Sequence, residues 1–355
     1  MAEQTERMTI LVTGGAGFIG SAVVRQLIDH SDHSVVNVDA LRYSANLSAL
    51  SSLAGSDRYR FVQQDICERS ALEALLDDVQ PDAVMHLAAE THVDRSIDDP
   101  EPFVAANVLG TYSLLQAVLG YFRGLNASRQ SRFRYLQIST DEVYGALSSG
   151  DGAFSECSRY DPRSPYSASK AAADHLANAW FHTYGLPLLL TNCSNNYGPF
   201  QYPEKLIPLV IGKALASEPI PVYGRGDNVR DWLYVEDHAR ALLRVLEQAE
   251  PGASYNIGGR AERSNLDLVR QICRVIDELQ PDTSVGSREE LIQFVKDRPG
   301  HDFRYAIDPS RIEKELGWRA QESLDSGLRK TVQWYLSRPD WFRDQQAIRR
   351  RGLGS

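Results

Sequence analysis

Short apolar runs recur through the first two hundred residues. Each is followed by a glycine-rich or polar segment, then by a longer stretch whose apolar positions repeat on a helical period. Runs at 8–13, 34–38, 60–63, 83–87, 133–139 and 187–191 have the length of buried strands. Between them, helices are predicted at 18–29, 71–79 and 104–121, the last with Val108, Tyr112, Leu115 and Leu119 on its apolar side, and from Tyr166 to about 184. Strands alternating with helices predict an α/β fold built on a Rossmann-like doubly wound parallel sheet.

After Pro199 the alternation weakens, and prolines and glycines become frequent. Helices are expected at 205–215, 236–248, 266–279, 309–316 and 324–336, with short extended pieces at 219–224 and 231–235. This reads as a smaller C-terminal α/β substrate lobe, intermingled with the first rather than tethered by a linker. The expected division is 8–199 for the dinucleotide-binding domain and 200–340 for the lobe, with the chain crossing between them. Both long helices carry enough apolar surface to pack a partner subunit as well as the sheet, so a homodimer is expected.

A formal net charge of −9 argues against nucleic acid as a main partner, since polyanion binding wants a basic face. The basic stretch at 343–351 reads as a solvated terminal helix or tail, and 1–7 as a frayed lead-in. Four widely spaced cysteines without a C-x-x-C pair fit reduced cytosolic thiols better than a disulfide frame or a zinc site. No apolar stretch approaches the ~20 residues that span a bilayer. A cytoplasmic protein with no metal and no membrane partner is expected.

Candidate chemistry gathers where the strands end. Gly14, Gly17 and Gly20 space a G-x-x-G-x-x-G turn between the first strand and the first helix. Such a turn brings backbone close to a pyrophosphate, and the helix then offers it N-terminal amides. Asp39 ends the second strand about twenty residues on, where a carboxylate accepts from an adenosine ribose and repels a 2′-phosphate, favouring NAD. Small Ala88 and Ala89 let a cofactor lie against the chain. The polar run after them, to Ser96, fits the floor of a site or a solvated loop. The fifth strand ends in Thr140-Asp141-Glu142, and Tyr166 stands four residues before Lys170, on one helical face. An unperturbed Tyr has a pKa of about 10, so a phenolate near neutrality needs roughly 4 kcal/mol. Lys170 and an oxidised nicotinamide could supply it, making Tyr166 a base for a hydroxyl losing hydride. His86, His175, His182 and His238 form no cluster and read as surface or core histidines.

With T-G-x-x-G-x-x-G and Y-x-x-x-K, the chain resembles the extended short-chain dehydrogenase/reductase family. Its Ser139-Thr140-Asp141-Glu142-Val143-Tyr144-Gly145 run is similar to that of the dTDP-glucose 4,6-dehydratases, as are 88–97, 195–199, 204–208 and 298–305. The resemblance implies a lyase that converts dTDP-glucose to a 4-keto-6-deoxy sugar with tightly bound NAD. Tyr166 would be the base at C4, aided by Thr140 and Lys170; Glu142 would take the C5 proton and Asp141 protonate the leaving C6 hydroxyl. Phe18, Ile19, Asp39, Asp65, Ile66, Leu87, Ala88, Ala89 and Asn196 would touch NAD. Thr91, Asn195, Arg230, Asn265, Asp297, Arg298, Pro299, Gly300 and His301 would hold the sugar nucleotide, with Lys205, Leu206, Pro221, Val222 and Tyr223 walling a thymine pocket. Phe303 and Ala106 depart from the family pattern, which often has Arg and Thr there. Another NAD-dependent nucleotide-sugar dehydratase, a 4-epimerase or a non-catalytic NAD sensor are the alternatives.

Overall fold

The computed structural model describes residues 7–284, 286–297 and 300–343, so most of the lead-in, most of the basic terminal stretch, and Arg298 and Pro299 lie outside the described residues. The apolar runs fold as β1 (Thr9–Thr13), β2 (Ser34–Asp39), β3 (Tyr59–Gln63), β4 (Ala83–His86), β5 (Arg134–Thr140) and β6 (Leu188–Cys193). Shorter strands follow: β7 (Asn195–Tyr197), β8 (Ile220–Tyr223), β9 (Val229–Tyr234), β10 (Ser254–Ile257), β11 (Glu262–Ser264) and β12 (Ile292–Val295).

The main sheet has seven strands in the order β10-β6-β5-β4-β1-β2-β3, all parallel. Its order reverses between β1 and β4, the point at which open α/β sheets leave a crevice beyond their strand ends. Because both faces are covered, the strands are apolar nearly throughout rather than alternating. On one face Val23, Val24 and Leu27 of helix Phe18–His30 pack with Ala239, Leu242 and Val245 of helix Val235–Gln248. On the other, helices Arg69–Val79, Glu101–Gly124 and Pro165–Tyr184 bury Leu72, Leu76, Leu114, Leu115, Val118, Ala177 and Trp180.

The sheet has one strand more than the pattern predicted. β10 is four residues (Ser-Tyr-Asn-Ile) between Gly252 and Gly258, too short to show a period, and it pairs with β6 at the edge. With the helix before it, the chain returns from the C-terminal half to complete the first sheet. The lobe's own core gathers Ile207, Val210, Ile220, Trp232, Leu268, Ile272, Leu328 and Tyr335 around two small sheets, β11-β9-β7 and β12-β8.

The long helix begins at Glu101, earlier than predicted, and Glu101–Gly124 is long and apolar enough to cross a membrane. That corrects the expectation that no stretch approached this length. Its inner face is nonetheless committed to the core, whereas Val104, Leu109 and Tyr112 are exposed along its outer side. Its segment Val104–Gly110 is π-wound. There Asn107 accepts from the Glu90 amide at 2.8 Å and donates to Ser169 Oγ at 2.8 Å, pinning the chain beyond β4 to the Tyr166 helix.

Candidate active site

The turn after β1 explains its glycines by space. Gly14 has φ +74°, and a Cβ there would stand 2.5 Å from the Ala88 nitrogen; at Gly20 it would stand 2.1 Å from the Gly14 carbonyl. Helix Phe18–His30 then opens from Gly17 with no side chain bonded to its first amides. This leaves those donors to a ligand, as a pyrophosphate site requires. Asp39 accepts from the Ala16 and Leu41 amides at 3.0 and 2.8 Å, which fixes its carboxylate while leaving lone pairs for a ribose. Burial raises its pKa, with the two amides opposing. Asp65 is held by the Cys67 amide and by Arg42, each at 2.9 Å; burial pushes its carboxyl up, but these bonds prevail and it ends lowered. The donor set, the free helix amides and the fixed carboxylate fit NAD.

One cavity runs from this turn to the end of β5. Gly14, Gly17, Phe18, Ile19, Gly20, Asp39, Asp65, Ile66, Leu87, Ala88, Ala89 and Asn196 line it, and so do Thr140, Asp141, Glu142, Tyr166 and Lys170. Glu90 and Thr91 also line it, whereas Val93–Asp98 turns into a short helix. The undecided run after β4 is thus wall of the site in its first half.

At the end of β5 the chain turns through a 3-10 segment, Asp141–Tyr144, capped by Thr140 Oγ1 accepting from the Glu142 amide at 3.3 Å. Gly145 closes the turn at φ +88°, where a Cβ would meet the Asp161 carbonyl at 2.5 Å. Helix Pro165–Tyr184 starts with a reciprocal Ser164/Ser167 capping box, which fixes Tyr166 in its first turn. Lys170 Nζ donates to the Ile138 carbonyl at 2.8 Å, and Thr140 lies near enough to the Tyr166 phenol to act on its pKa.

Asp141 is buried, and its Oδ2 finds no hydrogen-bond partner among the described residues. Burial first, then the Glu142 and Asp231 carboxylates, hold its pKa well above the ordinary value; Arg230 and Thr140 oppose them. Its surroundings thus favour the protonated form of the carboxyl. Burial, with Glu142 next, also pushes the Tyr166 phenol up, against a smaller opposing effect from Thr140. The protein's own groups thus hold Tyr166 neutral, and a phenolate calls for the nicotinamide's positive charge in addition to Lys170. His86 and His238 are buried core histidines, each lowered to about 3 by desolvation, and His175 and His182 are exposed. His86 bonds Thr13 and Thr111, and His238 bonds Asn196.

The expected sugar-nucleotide residues divide. Thr91, Asn195 and Lys205 line the same cavity, and Lys205 Nζ reaches the Thr91 carbonyl at 2.9 Å. Leu206, Pro221, Val222, Tyr223, Arg230, Asn265, Asp297, Gly300 and His301 are not in its wall. Several of these form a second group in the lobe. Pro221–Tyr223 lie on β8, paired to β12; His301 Nδ1 stands 2.7 Å from Asp297 Oδ1, and its ring faces that of Tyr223. Arg230 is buried over the Tyr305 ring and donates to the Asp302 and Phe303 carbonyls. Its effect on Asp141 ties this group to the catalytic end. Phe303 so contributes its backbone to Arg230 while its side chain is exposed, and Ala106 lines the cavity.

Arg42, Gln201, Tyr202 and Glu204 also line the cavity and were not foreseen. Beside them Tyr43 donates to Glu204 at 2.9 Å beneath the Arg95 guanidinium. Arg42 comes from the loop after β2 and Gln201, Tyr202 and Glu204 from the one before helix Leu206–Leu215, and only Glu204 lies in a segment of family resemblance.

The chain matches the profile of the family described as GDP-mannose 4,6 dehydratase over residues 11–331. It is 56% identical over 336 residues to a probable dTDP-glucose 4,6-dehydratase of Sinorhizobium fredii, covering 94% of this chain and 95% of the relative. It is 54% identical over 342 residues to dTDP-glucose 4,6-dehydratase 1 of Escherichia coli K12, covering 94% of each. A crystal structure of dTDP-glucose 4,6-dehydratase from Bacillus anthracis in complex with NAD superposes with a TM-score of 0.84 at 41% identity, over 96% of this chain and 100% of that one. A glycine turn fit for NAD, a Tyr-Lys helix and a buried Asp141 with a raised pKa beside Glu142 agree with these likenesses, and the chain belongs to the nucleotide-sugar 4,6-dehydratase family, among its dTDP-glucose 4,6-dehydratases.

Proposed function

We propose that the protein is a hydro-lyase that converts dTDP-glucose to dTDP-4-keto-6-deoxyglucose and water, in deoxysugar biosynthesis. The observation that carries this reading is Asp141. A buried carboxyl with a raised pKa beside a second carboxylate suits elimination of a hydroxyl, and a simple 4-epimerase has no step that needs it. NAD, when bound, takes hydride from C4 and later returns it to C6. Tyr166 accepts the C4 hydroxyl proton, with Thr140 holding that oxygen and Lys170 favouring the anion. The C4 ketone acidifies C5–H, which Glu142 removes while Asp141 gives its proton to the C6 oxygen, so that water leaves. A proton then returns to C5, and the redox state at the end is that at the start.

In this reading residues 8–199 bind NAD and supply the chemistry, and 200–340 mainly hold the nucleotide. Arg230 suits the diphosphate, since its planar fork binds phosphate oxygens in pairs. The exposed Val104, Leu109 and Tyr112, with Tyr184 from the neighbouring helix, form an apolar face suited to a second copy, so the enzyme is a homodimer. Four unpaired thiols suit the cytoplasm.

Purified protein should carry NAD without any being added, and should convert dTDP-glucose to a keto sugar faster than other nucleotide-glucoses. Liquid chromatography of the released cofactor and product checks both. Protein isolated without NAD that releases NADH stoichiometrically would overturn the reading.

A further inference from the structure

One face of helix Pro165–Tyr184 meets three consecutive residues of β5. Tyr166 stands by Thr140, Lys170 Nζ donates to the Ile138 carbonyl at 2.8 Å, and Asp174 accepts from Ser139 Oγ at 2.5 Å. The first two belong to the chemistry above. Asp174 does not, yet it is a fully buried carboxylate, costly to keep unless it is paired. Its Oδ2 also accepts from the Tyr160 hydroxyl at 3.2 Å, and Gln137 Nε2 approaches Oδ1 at 3.5 Å. Tyr160 accepts in turn from Asn192 Nδ2 at 3.3 Å, and the same amide donates to the Thr140 carbonyl at 3.1 Å. The carboxylate is therefore clamped from β5, from β6 and from the loop before its own helix.

The partner for its charge is Lys170, one turn earlier on the same face, where side chains four apart are neighbours. Burial alone lowers the Lys170 pKa, and Asp174 is the first group opposing that, with Cys193 after it. Asp174 itself is raised to about 6 by burial, so it is ionised at neutral pH. The other titratable groups facing the pair are His86 beside Lys170, and Tyr135, Tyr144 and Tyr160 beside Asp174, with the His175 ring tilted against that of Tyr160. All three tyrosines are raised and His86 is lowered, so at neutral pH none of these four carries charge. Tyr166 lies two turns from Asp174, roughly 12 Å along the axis. The carboxylate therefore acts on the phenol chiefly through the ammonium between them.

We propose that Asp174 is a positioning residue: held by Ser139 and Tyr160, its carboxylate keeps Lys170 an ammonium against β5 and so sets the pH at which Tyr166 becomes a base. The inference rests on the dehydratase reading above. Without the carboxylate, burial drives the proton off Lys170, the phenolate loses a cation, and Tyr166 ionises at higher pH.

The test is the pH profile of the NADH burst when NAD-loaded enzyme meets dTDP-glucose in a single turnover. In Asp174→Asn the acid limb should move up by about one pH unit. Tyr160→Phe, which removes one donor to the carboxylate, should move it the same way by less. The phenolate difference absorbance of the NAD-loaded enzyme without substrate, with Tyr166→Phe subtracted, should shift in parallel. If Asp174→Asn fails to fold, Tyr160→Phe decides. Rates that fall while the limb and the phenolate titration stay in place would overturn the proposal. A wild type that gives no burst would instead remove the dehydratase reading, and the phenolate titration would still report on Asp174.

Discussion

Asp141→Asn should slow conversion of dTDP-glucose by about 10²–10⁴-fold, the usual worth of a general acid. The substitution keeps the size and the acceptor facing Thr140, but removes the carboxyl proton whose retention burial, Glu142 and Asp231 favour. Fluoride leaves without being protonated, so dTDP-6-fluoro-6-deoxyglucose does not need that proton. On this substrate the variant should lose much less. Initial rates on both substrates, with wild type alongside, give the comparison. Equal losses would mean that Asp141 acts through folding or positioning, and the acid role would have to be abandoned.

Glu142→Gln should separate oxidation from elimination. Glu142 stands in the same 3-10 turn, its amide bonded to Thr140 and its side chain partly exposed to the cavity. The glutamine keeps that turn but cannot take the C5 proton. Hydride should still leave C4, so NADH absorbance should rise and persist while 4-keto-6-deoxy product falls by about 10²–10⁴-fold. Stopped-flow absorbance with product quantification checks it. Dehydration at the wild-type rate would show that another group removes the C5 proton.

What the sequence disclosed was what is local. A strand, three spaced glycines and a helix identify a cofactor turn because tight turning and close packing are demanded within a dozen residues. Gly14 against Ala88 is that demand seen in space. Tyr166 and Lys170 stand on one helical face by spacing alone. The same reading did not see β10, four residues that become a strand only because β6 is there to pair with. Nor did it see Asp231, the effect of Arg230 on Asp141, or Asp174, an ordinary helix residue until its burial is known. The helix Glu101–Gly124 misled in another way, because its π-wound start blurs the helical period that sets where it begins. The nucleotide residues of the lobe were expected from resemblance. Tyr223, Asp297 and His301 do come together, but apart from the cavity that carries the catalytic groups.

The central claim is that one hydride leaves C4 and returns to C6 of the same sugar without leaving the site. It is tested most directly with dTDP-glucose carrying deuterium at C4, converted by the protein as isolated and examined by mass spectrometry and NMR. The deuterium should appear in the C6 methyl group of the 4-keto-6-deoxy product, with no labelled NADH in solution. Deuterium found in free NADH, lost to solvent, or returned to C4 in a galactose-configured sugar would contradict it.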